Sequence, residues 1–297
     1  MGGHVVEYLF RQGEISKGTF RKGAHLKIMD SCGVQGVDAD LLDHHSLHEA
    51  MEGVDTVYNL ASPMPGEDQD HMRVNQEGLL NMLEVSTEAG VRNFVHLSTL
   101  DVCGFGGRHV TASSPPSPAG DYQKGKAAAE KLLVDLARRQ SAPRVVIVRS
   151  ARAVGSRDAS LTVPLLRMAR SGRVVLPASL PMSFTHPQDI AQAMYKAATG
   201  SSPTGSVFLV KSFDASPDEL ARAIIASVGG RAEVRKEGLL SKSSLPTYTA
   251  AQLRAALTID PQPSWAGLGY APAMDLGATC NEIAAWYRKD PWVADEA

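Results

Sequence analysis

The pattern of apolar positions changes its period along the chain, and this predicts alternating strands and helices through about residue 155. Short apolar runs predict strands at 24–29, 34–43, 54–62, 91–99 and 144–150. Apolar residues at helical spacing predict helices at the N-terminus and at 47–53, 71–90 and 122–139. Strands that alternate with helices build a parallel sheet covered on both faces. We therefore predict an α/β fold with a doubly wound parallel sheet. Beyond residue 155 the alternation loosens, and further helices are predicted at 162–171, 187–199, 215–228 and 275–288.

The first predicted helix has no strand in front of it. Val5, Leu9 and Phe10 lie at helical spacing directly after two glycines. In a doubly wound dinucleotide-binding fold, a strand and a glycine-rich turn precede the first helix, whose N-terminus holds the pyrophosphate. We expect Gly2 to be the last glycine of that turn, needed where helix and strand pack closely. We also expect that the first strand is missing because the native chain extends upstream of Met1; otherwise, the chain binds cofactor poorly or not at all.

Composition and charge narrow the classes of partner. The chain has 297 residues, of which 43% are hydrophobic and 21% charged, with a net charge of -2. This balance favours neither nucleic acid nor an anionic membrane. No apolar stretch approaches the ~20 residues of a membrane helix, and no signal peptide is visible. The three cysteines form no C-x-x-C pair, which favours a reducing cytoplasmic compartment. We expect a cytoplasmic protein that acts on a small molecule.

A carboxylate after the second strand is the residue that binds the ribose 2′-hydroxyl in dinucleotide-binding folds. Asp30 directly follows the predicted strand 24–29. It lies farther from Gly2 than the usual ~20 residues, and we interpret the polar stretch 13–23 as an insertion. Because a carboxylate repels a 2′-phosphate, Asp30 favours NAD over NADP. The alternative is a turn aspartate without a role in binding.

The sequence D-Y-Q-K-G-K places Tyr122 and Lys126 four residues apart, on one face of a predicted helix. A free tyrosine has a pKa of about 10 and is a poor base at neutral pH. Lowering that pKa to about 7 takes roughly 4 kcal/mol, which Lys126, a bound cationic nicotinamide ring and partial burial could supply together. The helix follows a strand that ends in Ser98 and Thr99, at the sheet edge where such folds bind ligands. This placement favours an acid/base pair over an exposed helix pair.

With these residues in place, the chain resembles the extended short-chain dehydrogenase/reductases, also called the NAD-dependent epimerase/dehydratase family. The resemblance rests on the order and spacing of D-A-D-L-L-D (38–43), Y-N-L-A-S (58–62), R-V-N-Q-E-G-L-L (73–80), H-L-S-T-L-D-V-C-G (96–104) and V-R-S-A-R-A-V-G-S-R-D (148–158). It implies a Rossmann-like fold in which Thr99, Tyr122 and Lys126 are catalytic. It also implies cofactor contacts from Gly2, Asp30, Asp40, Leu41, Leu60, Ala61, Ser62, Asn75, Tyr122, Lys126 and Ala151.

The resemblance also implies two lobes and a homodimer. Residues 1–155, with about 183–199 added, are expected to form the dinucleotide-binding domain. Residues 156–182 and 200–297 are expected to form a smaller substrate-binding lobe. The helices at 71–90 and 122–139 are those through which members of the family dimerise.

Departures from the family pattern bear on the substrate. Arg152 stands where nucleotide-sugar enzymes carry an asparagine, and Met182 stands where they carry an arginine. Both changes remove expected partners of a sugar-nucleotide diphosphate, whereas Arg152 can bind an anionic group of another substrate. We therefore expect NAD(P)-dependent oxidation or reduction of a secondary alcohol or ketone, of the hydroxysteroid-dehydrogenase or ketoreductase kind. A nucleotide-sugar epimerase or dehydratase is the alternative, and a non-catalytic cofactor-binding protein is a second one.

Two histidine features carry weaker signals. His44 and His48 have the i, i+4 spacing of zinc ligands, but the sequence supplies no apparent third ligand, so we expect no metal site. His186 precedes Pro187 at a predicted helix start, where a bond to the backbone is the expected role.

Overall fold

The computed structural model describes residues 1–20, 27–65, 70–106, 109–138, 143–177, 180–238 and 241–289. The strands are β1 (Lys17–Phe20), β2 (Gln35–Asp38), β3 (Thr56–Asn59), β4 (Asn93–Thr99), β5 (His109–Val110), β6 (Arg144–Ser150), β7 (Arg152–Ala153), β8 (Arg173–Leu176), β9 (Met182–Thr185), β10 (Ser206–Val210), β11 (Phe213–Ala215), β12 (Glu233–Lys236) and β13 (Thr258–Ile259). The helices are α1 (Gly2–Arg11), α2 (Lys27–Ser31), α3 (His44–Met51), α4 (His71–Arg73), α5 (Leu79–Glu88), α6 (Asp121–Ala137), α7 (Thr162–Arg170), α8 (Pro187–Thr199), α9 (Pro217–Ser227), α10 (Thr247–Ala255), α11 (Gln262–Leu268) and α12 (Leu276–Lys289). A π-helical segment, Val74–Gly78, joins α4 to α5.

Four parallel strands form the main sheet in the order β10-β6-β4-β3. The interior of β6, residues 145–148, is fully buried, as expected of a parallel strand covered on both faces. The predicted strands at 54–62, 91–99 and 144–150 correspond to β3, β4 and β6, and the predicted parallel sheet is confirmed. Because the strands are parallel, their carboxyl ends lie at one edge of the sheet.

Helices cover both faces of this sheet. On one face, α1 and α8 pack in a core with Val146 and Val148 of β6. On the other face, α3, α5 and α6 bury Val145 and Ile147 of the same strand. Neighbouring residues of β6 thus point into opposite cores, with the period of two that a strand imposes. The doubly wound arrangement is confirmed.

The region between α1 and α3 differs from the prediction. Residues 27–31 form helix α2, whereas a strand was predicted at 24–29, of which 24–26 lie outside the described residues. The stretch interpreted as an insertion contains strand β1, which pairs in parallel with β2. The physical reason is that a short apolar run has no period of its own and fits a buried helical turn as well as a strand. The predicted strand at 34–43 is confirmed as the shorter β2.

The pair β1–β2 and the main sheet are separate among the described residues. In the main sheet β3 is an edge strand, and most of it is only half-buried.

Many of the remaining elements surround a second hydrophobic core. The sheets β7–β9–β11 and β8–β12 pack with α7, α9 and α12 around buried leucine, isoleucine and phenylalanine side chains. The helices predicted at 162–171, 187–199, 215–228 and 275–288 are confirmed as α7, α8, α9 and α12, whereas α10 and α11 were not predicted. The lobe boundaries stay a prediction. Within the described part of the chain, no helix is long and apolar enough to cross a bilayer.

Candidate active site

Helix α6 carries Tyr122 and Lys126. Gln123 closes its N-terminus, because its Oε1 accepts hydrogen bonds from the backbone N–H groups of Ala119 (2.7 Å) and Gly120 (3.3 Å). Tyr122 therefore lies in the first turn and Lys126 one turn later, on the same side of the helix. The predicted helix is confirmed, and the catalytic role of its two residues stays a prediction.

A buried ion pair fixes α6 to the main sheet. Glu130 of α6 accepts hydrogen bonds from Arg149 of β6, with Nε–Oε1 at 2.9 Å, Nε–Oε2 at 3.2 Å and Nη2–Oε2 at 2.7 Å. The two side chains are only 5% and 6% exposed. Such a forked, desolvated contact defines both the distance and the rotation of the helix relative to the strand. It thereby positions the helix that carries Tyr122.

Lys126 is buried beneath the end of β4 rather than exposed on the helix. Its Nζ donates to the carbonyl of Leu97 (2.7 Å) and lies 3.2 Å from His96 Nε2. His96 Nδ1 in turn lies 3.0 Å from Asn59 Nδ2 on the neighbouring strand β3. Burial lowers the pKa of Lys126 to about 8, although the charge of Glu130 opposes this change. Sequence reasoning found Lys126 but missed His96 and Asn59.

Tyr122 lies among aromatic rings. His71 contacts it edge-on with ring centroids 6.1 Å apart, and Tyr248 contacts it edge-on at 5.4 Å. Burial and the nearby Asp101 raise the pKa of the Tyr122 phenol, and Arg152 partly opposes this. The expectation that partial burial helps to lower this pKa is wrong, because desolvation disfavours the charged form of any acid.

The carboxylate of Asp101 sits just past Thr99 at the carboxyl end of β4. It accepts hydrogen bonds from the Tyr248 hydroxyl (2.9 Å) and from Gln252 Nε2 (2.6 Å), both on α10. Burial raises the pKa of Asp101. Thr99 Oγ1 accepts from the Asp101 backbone N–H at 3.2 Å, and the Thr99 hydroxyl also hydrogen-bonds the Asp101 carboxylate, which lowers the pKa of that carboxyl. Asp101, Tyr248 and Gln252 were missed because α10 was not predicted.

Arg152 lines a cavity together with Asp101 and Gln252. Its Nη2 donates to Ser160 Oγ (2.8 Å) and to Asp158 Oδ2 (3.4 Å). The side chain is only 10% exposed, and its Nε is buried without a hydrogen-bond partner. A buried N–H of a charged group without an acceptor is costly, by roughly 1–3 kcal/mol or more. The Nε N–H is therefore a donor that no described residue satisfies.

The residues expected to contact a cofactor follow the carboxyl ends of the strands. Leu60, Ala61 and Ser62 come directly after β3. Ser62 Oγ lies 3.3 Å from the side-chain amide of Asn75, whose Nδ2 donates to the carbonyl of His71 at 2.9 Å. Asn75 belongs to the π-helical segment, a distortion that occurs frequently at functional sites. The structure thus brings Ser62 and Asn75 together at this edge.

Three more of these residues lie at the same ends. Asp40 and Leu41 form a turn after β2, in which the Asp40 carboxylate accepts the Leu42 backbone N–H at 2.9 Å. Ala151 follows β6 and donates its N–H to the carbonyl of Val210. Ser98, near the end of β4, has a buried hydroxyl without a partner. An orphaned hydroxyl at this edge fits a ligand with hydroxyl or amide groups, such as a nicotinamide nucleotide.

Two of the predicted cofactor residues are not where the prediction placed them. A Cβ on Gly2 would meet nothing within 4 Å, whereas one on Gly3 would lie 2.8 Å from Ile28 Cδ1. The close approach therefore falls at Gly3, and it is made to α2 rather than to a strand. Asp30 lies inside α2, not after a strand. The strand that precedes it ends at Phe20, and residues 21–26 lie outside the described part, so the argument for NAD from Asp30 is wrong.

The histidine pair has a neighbour that the sequence did not indicate. His44 and His48 of α3 lie beside Glu88 of α5, with ligand atoms within 4.8 Å of one another. The expectation that no third ligand is available is therefore corrected, because packing of α3 on α5 brings Glu88 alongside. His48 Nε2 already lies 2.9 Å from Glu88, and both side chains are about half-exposed.

His186 caps a helix, as expected. Its Nδ1 accepts the backbone N–H of Gln188 at the start of α8 (3.2 Å), which confirms the predicted bond to the backbone. Its Nε2 lies 3.4 Å from Glu282 of α12. His186 therefore joins α8 to α12 and is not part of the reacting centre.

Comparisons with known proteins agree with this fold. A family model described as the NAD dependent epimerase/dehydratase family matches residues 1–210. Sterol demethylase protein B of Methylococcus capsulatus is 31% identical over 138 residues, which cover 44% of this chain and 42% of that protein. The bovine sterol-4-alpha-carboxylate 3-dehydrogenase, decarboxylating, is 28% identical over 59% of this chain and 49% of its own length. The chain thus matches less than half the length of either relative.

A solved structure extends the likeness to almost the whole chain. UDP-glucose-4-epimerase from Stenotrophomonas maltophila, crystallised with NAD and formylated UDP-arabinopyranose, superposes with a TM-score of 0.81 over 97% of this chain and 95% of that chain. At 19% identity, this likeness shows the fold alone. The family model covers most of the chain and the fold agrees with it. The chain therefore belongs to the NAD-dependent epimerase/dehydratase family, the extended short-chain dehydrogenase/reductases.

Proposed function

We propose that the protein is a dehydrogenase or reductase that uses a nicotinamide cofactor to interconvert a secondary alcohol and a ketone. We further propose that its substrate carries an anionic group, such as a carboxylate, close to the reacting carbon. The observation that carries the proposal is the buried, unpartnered Nε of Arg152 in the cavity beside Asp101.

The position of Arg152 relative to Tyr122 supports this substrate class. Arg152 is close enough to lower the pKa of the Tyr122 phenol against burial. An anion bound at Arg152 would therefore lie close enough to Tyr122 to interact with it electrostatically. The name of the bovine relative places a carboxylate at position 4 and the oxidation at position 3 of a sterol, which is the same combination of groups. Carboxylates are the anions that a guanidinium binds best.

In the proposed reaction, the Thr99 hydroxyl turns from Asp101 and donates its proton to the substrate oxygen. Tyr122 accepts the alcohol proton in oxidation, or donates it in reduction. Lys126 holds the nicotinamide ribose and supplies charge beneath Tyr122. The nicotinamide, when bound, accepts or gives the hydride at the substrate carbon. Proton transfer by a positioned group of this kind typically contributes about 10²–10⁴-fold.

The cofactor is proposed to be NAD rather than NADP. Asp30 no longer supports this choice, because it lies in a helix. The support that remains is the family description and the NAD bound in the Stenotrophomonas maltophila structure. Thermal stabilisation of the protein by NAD and by NADP, measured side by side, compares their affinities without any substrate. A larger shift with NADP would overturn this part of the proposal.

The nucleotide-sugar alternative predicts different products. An epimerase would use the same Tyr122 and return the hydride to the other face of the ketone, with no net NADH. Two assays are compared. The turnover of 3-hydroxy acids and of sterol carboxylates is monitored by NADH absorbance, and the turnover of UDP-glucose is monitored by chromatography. Conversion of UDP-glucose alone would refute the dehydrogenase. Stabilisation by cofactor without turnover of any compound would favour a binding protein.

Variants test the roles of the residues. We expect Tyr122→Phe to lower kcat by about 10²–10⁴-fold. We expect Arg152→Met to raise KM for the hydroxy acid about 10-fold or more, the loss of a charged hydrogen bond, while leaving the uncharged methyl ester of the same compound unaffected. An equal loss on acid and ester would show that Arg152 is structural. Tyr248→Phe, which keeps the ring contact with Tyr122, is the matched control.

We also propose a homodimer formed through the α4–α5 helix pair and α6. Met72 and Leu80 support this proposal, because both are apolar and 38% exposed. Light scattering after size exclusion measures the mass directly. A monomer at all accessible concentrations would refute it, and Leu80→Glu should dissociate a dimer that uses this surface.

A further inference from the structure

Lys126 ends a buried chain of polar groups that crosses from β3 to α6. The backbone N–H of Ala61 lies 3.1 Å from Asn59 Oδ1, and Asn59 Nδ2 lies 3.0 Å from His96 Nδ1. His96 Nε2 lies 3.2 Å from Lys126 Nζ. Asn59, His96 and Lys126 are each no more than 3% exposed, so water does not supply alternative partners.

The direction of every hydrogen bond in this chain follows from its first member. A backbone N–H can only donate, so the atom of Asn59 that faces Ala61 is the oxygen. The amide nitrogen of Asn59 then faces His96 and donates to Nδ1. A neutral imidazole whose Nδ1 accepts carries its proton on Nε2. His96 therefore presents an N–H to Lys126.

Only the uncharged amine of Lys126 can accept a hydrogen bond from this N–H. An ammonium has three N–H donors and no lone pair, whereas an uncharged amine has one lone pair. The amine accepts from His96 and still donates to the Leu97 carbonyl at 2.7 Å. An ammonium would place two donors against each other, and reversing the Asn59 amide would do the same at Ala61. Each such conflict leaves a buried group unsatisfied, at about 1–3 kcal/mol.

We propose that Asn59 and His96 are positioning residues that favour the uncharged amine of Lys126 over its ammonium and direct it at the end of β4 in the protein without ligands. They act on the reaction through Lys126 and touch neither substrate nor cofactor. The inference rests on the proposed function only for its effect on turnover, because the hydrogen-bond directions hold whatever the protein does.

The charges around Lys126 bear on the same balance between amine and ammonium. Burial lowers the pKa of Lys126 to about 8, so the ammonium still predominates at neutral pH and the amine is the main form above about pH 8. Burial and the neighbouring Lys126 lower the pKa of His96 well below its usual value, which keeps the ring neutral. Glu130, one turn along α6, favours the ammonium, but Arg149 pairs with it and offsets its charge. Tyr122, the remaining titratable group one turn back on the helix, is held neutral by its own burial.

Replacing the amide nitrogen of Asn59 by an oxygen is expected to reverse the direction of these hydrogen bonds. In Asn59→Asp, both carboxylate oxygens accept, so His96 is expected to donate from Nδ1 and to accept at Nε2. Lys126 then gains an acceptor and a nearby negative charge, which favour its ammonium. We expect the pKa of Lys126 to rise by about one to three, the usual effect of a close opposite charge. Asn93→Asp, on the opposite end of β4, adds the same charge away from Lys126 and serves as the matched control.

Nuclear magnetic resonance measures the tautomer of His96 and the charge of Lys126 without any turnover. In the wild type, the ¹⁵N signals of His96 should show a protonated Nε2 and a bare Nδ1. The Lys126 side chain, followed by ¹³C labelling through a pH titration, should lose its charge near pH 8. In Asn59→Asp the His96 pattern should reverse and the Lys126 titration should move to higher pH, with no change in Asn93→Asp. A protonated Nδ1 in the wild type would overturn the proposal, even if Asn59→Asp fails to fold.

Turnover measurements distinguish a failure of the positioning role of Asn59 and His96 from a failure of the proposed function. Where a substrate is found, the pH profile of kcat in Asn59→Asp should move in the same direction as the Lys126 titration. A moved titration without a moved profile would leave the hydrogen-bond chain intact and refute its effect on catalysis. If no compound is turned over, the proposed function fails, whereas the spectra still decide the state of Lys126.

Discussion

The buried pair between Glu130 and Arg149 gives the sharpest test of how α6 is held. In Glu130→Gln the shape of the side chain is kept, but the Arg149 guanidinium loses its counter-charge in a site where it is 6% exposed. Removing one partner of a buried ion pair costs about 3–5 kcal/mol, since an uncompensated charge remains. For a chain of this size, we expect Tm to fall by roughly 6–20 °C.

Denaturant unfolding followed by circular dichroism, together with calorimetry, measures this loss. Asp135→Asn on the same helix is the matched control, because the Lys131–Asp135 pair is exposed on the Lys131 side and should contribute no more than about 1 kcal/mol. The double variant Glu130→Met, Arg149→Met should recover most of the loss, because it removes both charges. If Glu130→Gln costs no more than Asp135→Asn, the pair is solvated and the reasoning about α6 is refuted.

Three further predictions concern packing and pH. Gly125→Ala should destabilise by about 1–3 kcal/mol, because its Cβ would lie 2.8 Å from a backbone carbonyl of α4. Gly120→Ala meets no atom within 4 Å and should cost no more than about 1 kcal/mol in the same denaturation assay, which reflects the preference of an N-cap position for glycine over alanine. Leu133→Ala should cost about 2–5 kcal/mol in that assay, because this α6 side chain is fully buried. Burial lowers the pKa of His4 to about 4, so the unfolded chain binds more protons between pH 4 and 6.5, and stability is lost as the pH falls through this window. His4→Gln should flatten that part of the stability profile, and the exposed His45→Gln should not; a profile unchanged by His4→Gln would contradict the assignment.

The elements that sequence alone predicted are those with a long, regular pattern. Strands β4 and β6 and helices α6 and α8 each present a mainly apolar run or stripe, and their burial in the cores that flank the sheet enforces that pattern. Strand β1 was missed because its sequence, K-G-T-F, contains no apolar run. Helix α2 was predicted as a strand because nothing in a short apolar run separates a buried helical turn from a strand. Position in the fold decides between them, and position is not local in sequence.

The residues of the candidate site also fall into two groups, those that a sequence pattern predicted and those that it did not. Tyr122 and Lys126 could be found from their spacing, and Thr99 from its place at the end of a strand. The Asp101 carboxylate lies in the same stretch as Thr99, but its partners come from α10, more than a hundred residues later. Helix α10 has no clear apolar stripe in the sequence, so its existence and its contribution were both missed. Contacts of this kind depend on how two distant segments dock, which spacing along the chain does not encode.

The partners of Lys126 follow from the register of two strands. Asn59 of β3 pairs directly with His96 of β4, and a shift of one residue would turn one of the two side chains to the opposite face. On that face of β4 the preceding inward position is Phe94, which is fully buried beneath α5 and α6. Apolar residues are what a doubly covered strand requires, so two polar side chains at paired positions are a departure from the pattern.

That departure would be costly if any of the polar atoms lacked a partner. The Asn59 amide reaches Ala61 and His96, and His96 reaches Lys126, so the chain is satisfied only because a lysine stands at its far end. Replacing Lys126 alone would leave a buried imidazole N–H unpaired, whereas an apolar trio at the three positions would satisfy the sheet equally well. Stability therefore does not account for the choice of a polar chain here. The chain is better explained by the control it exerts over Lys126, whose Nζ lies beneath the carboxyl end of β4.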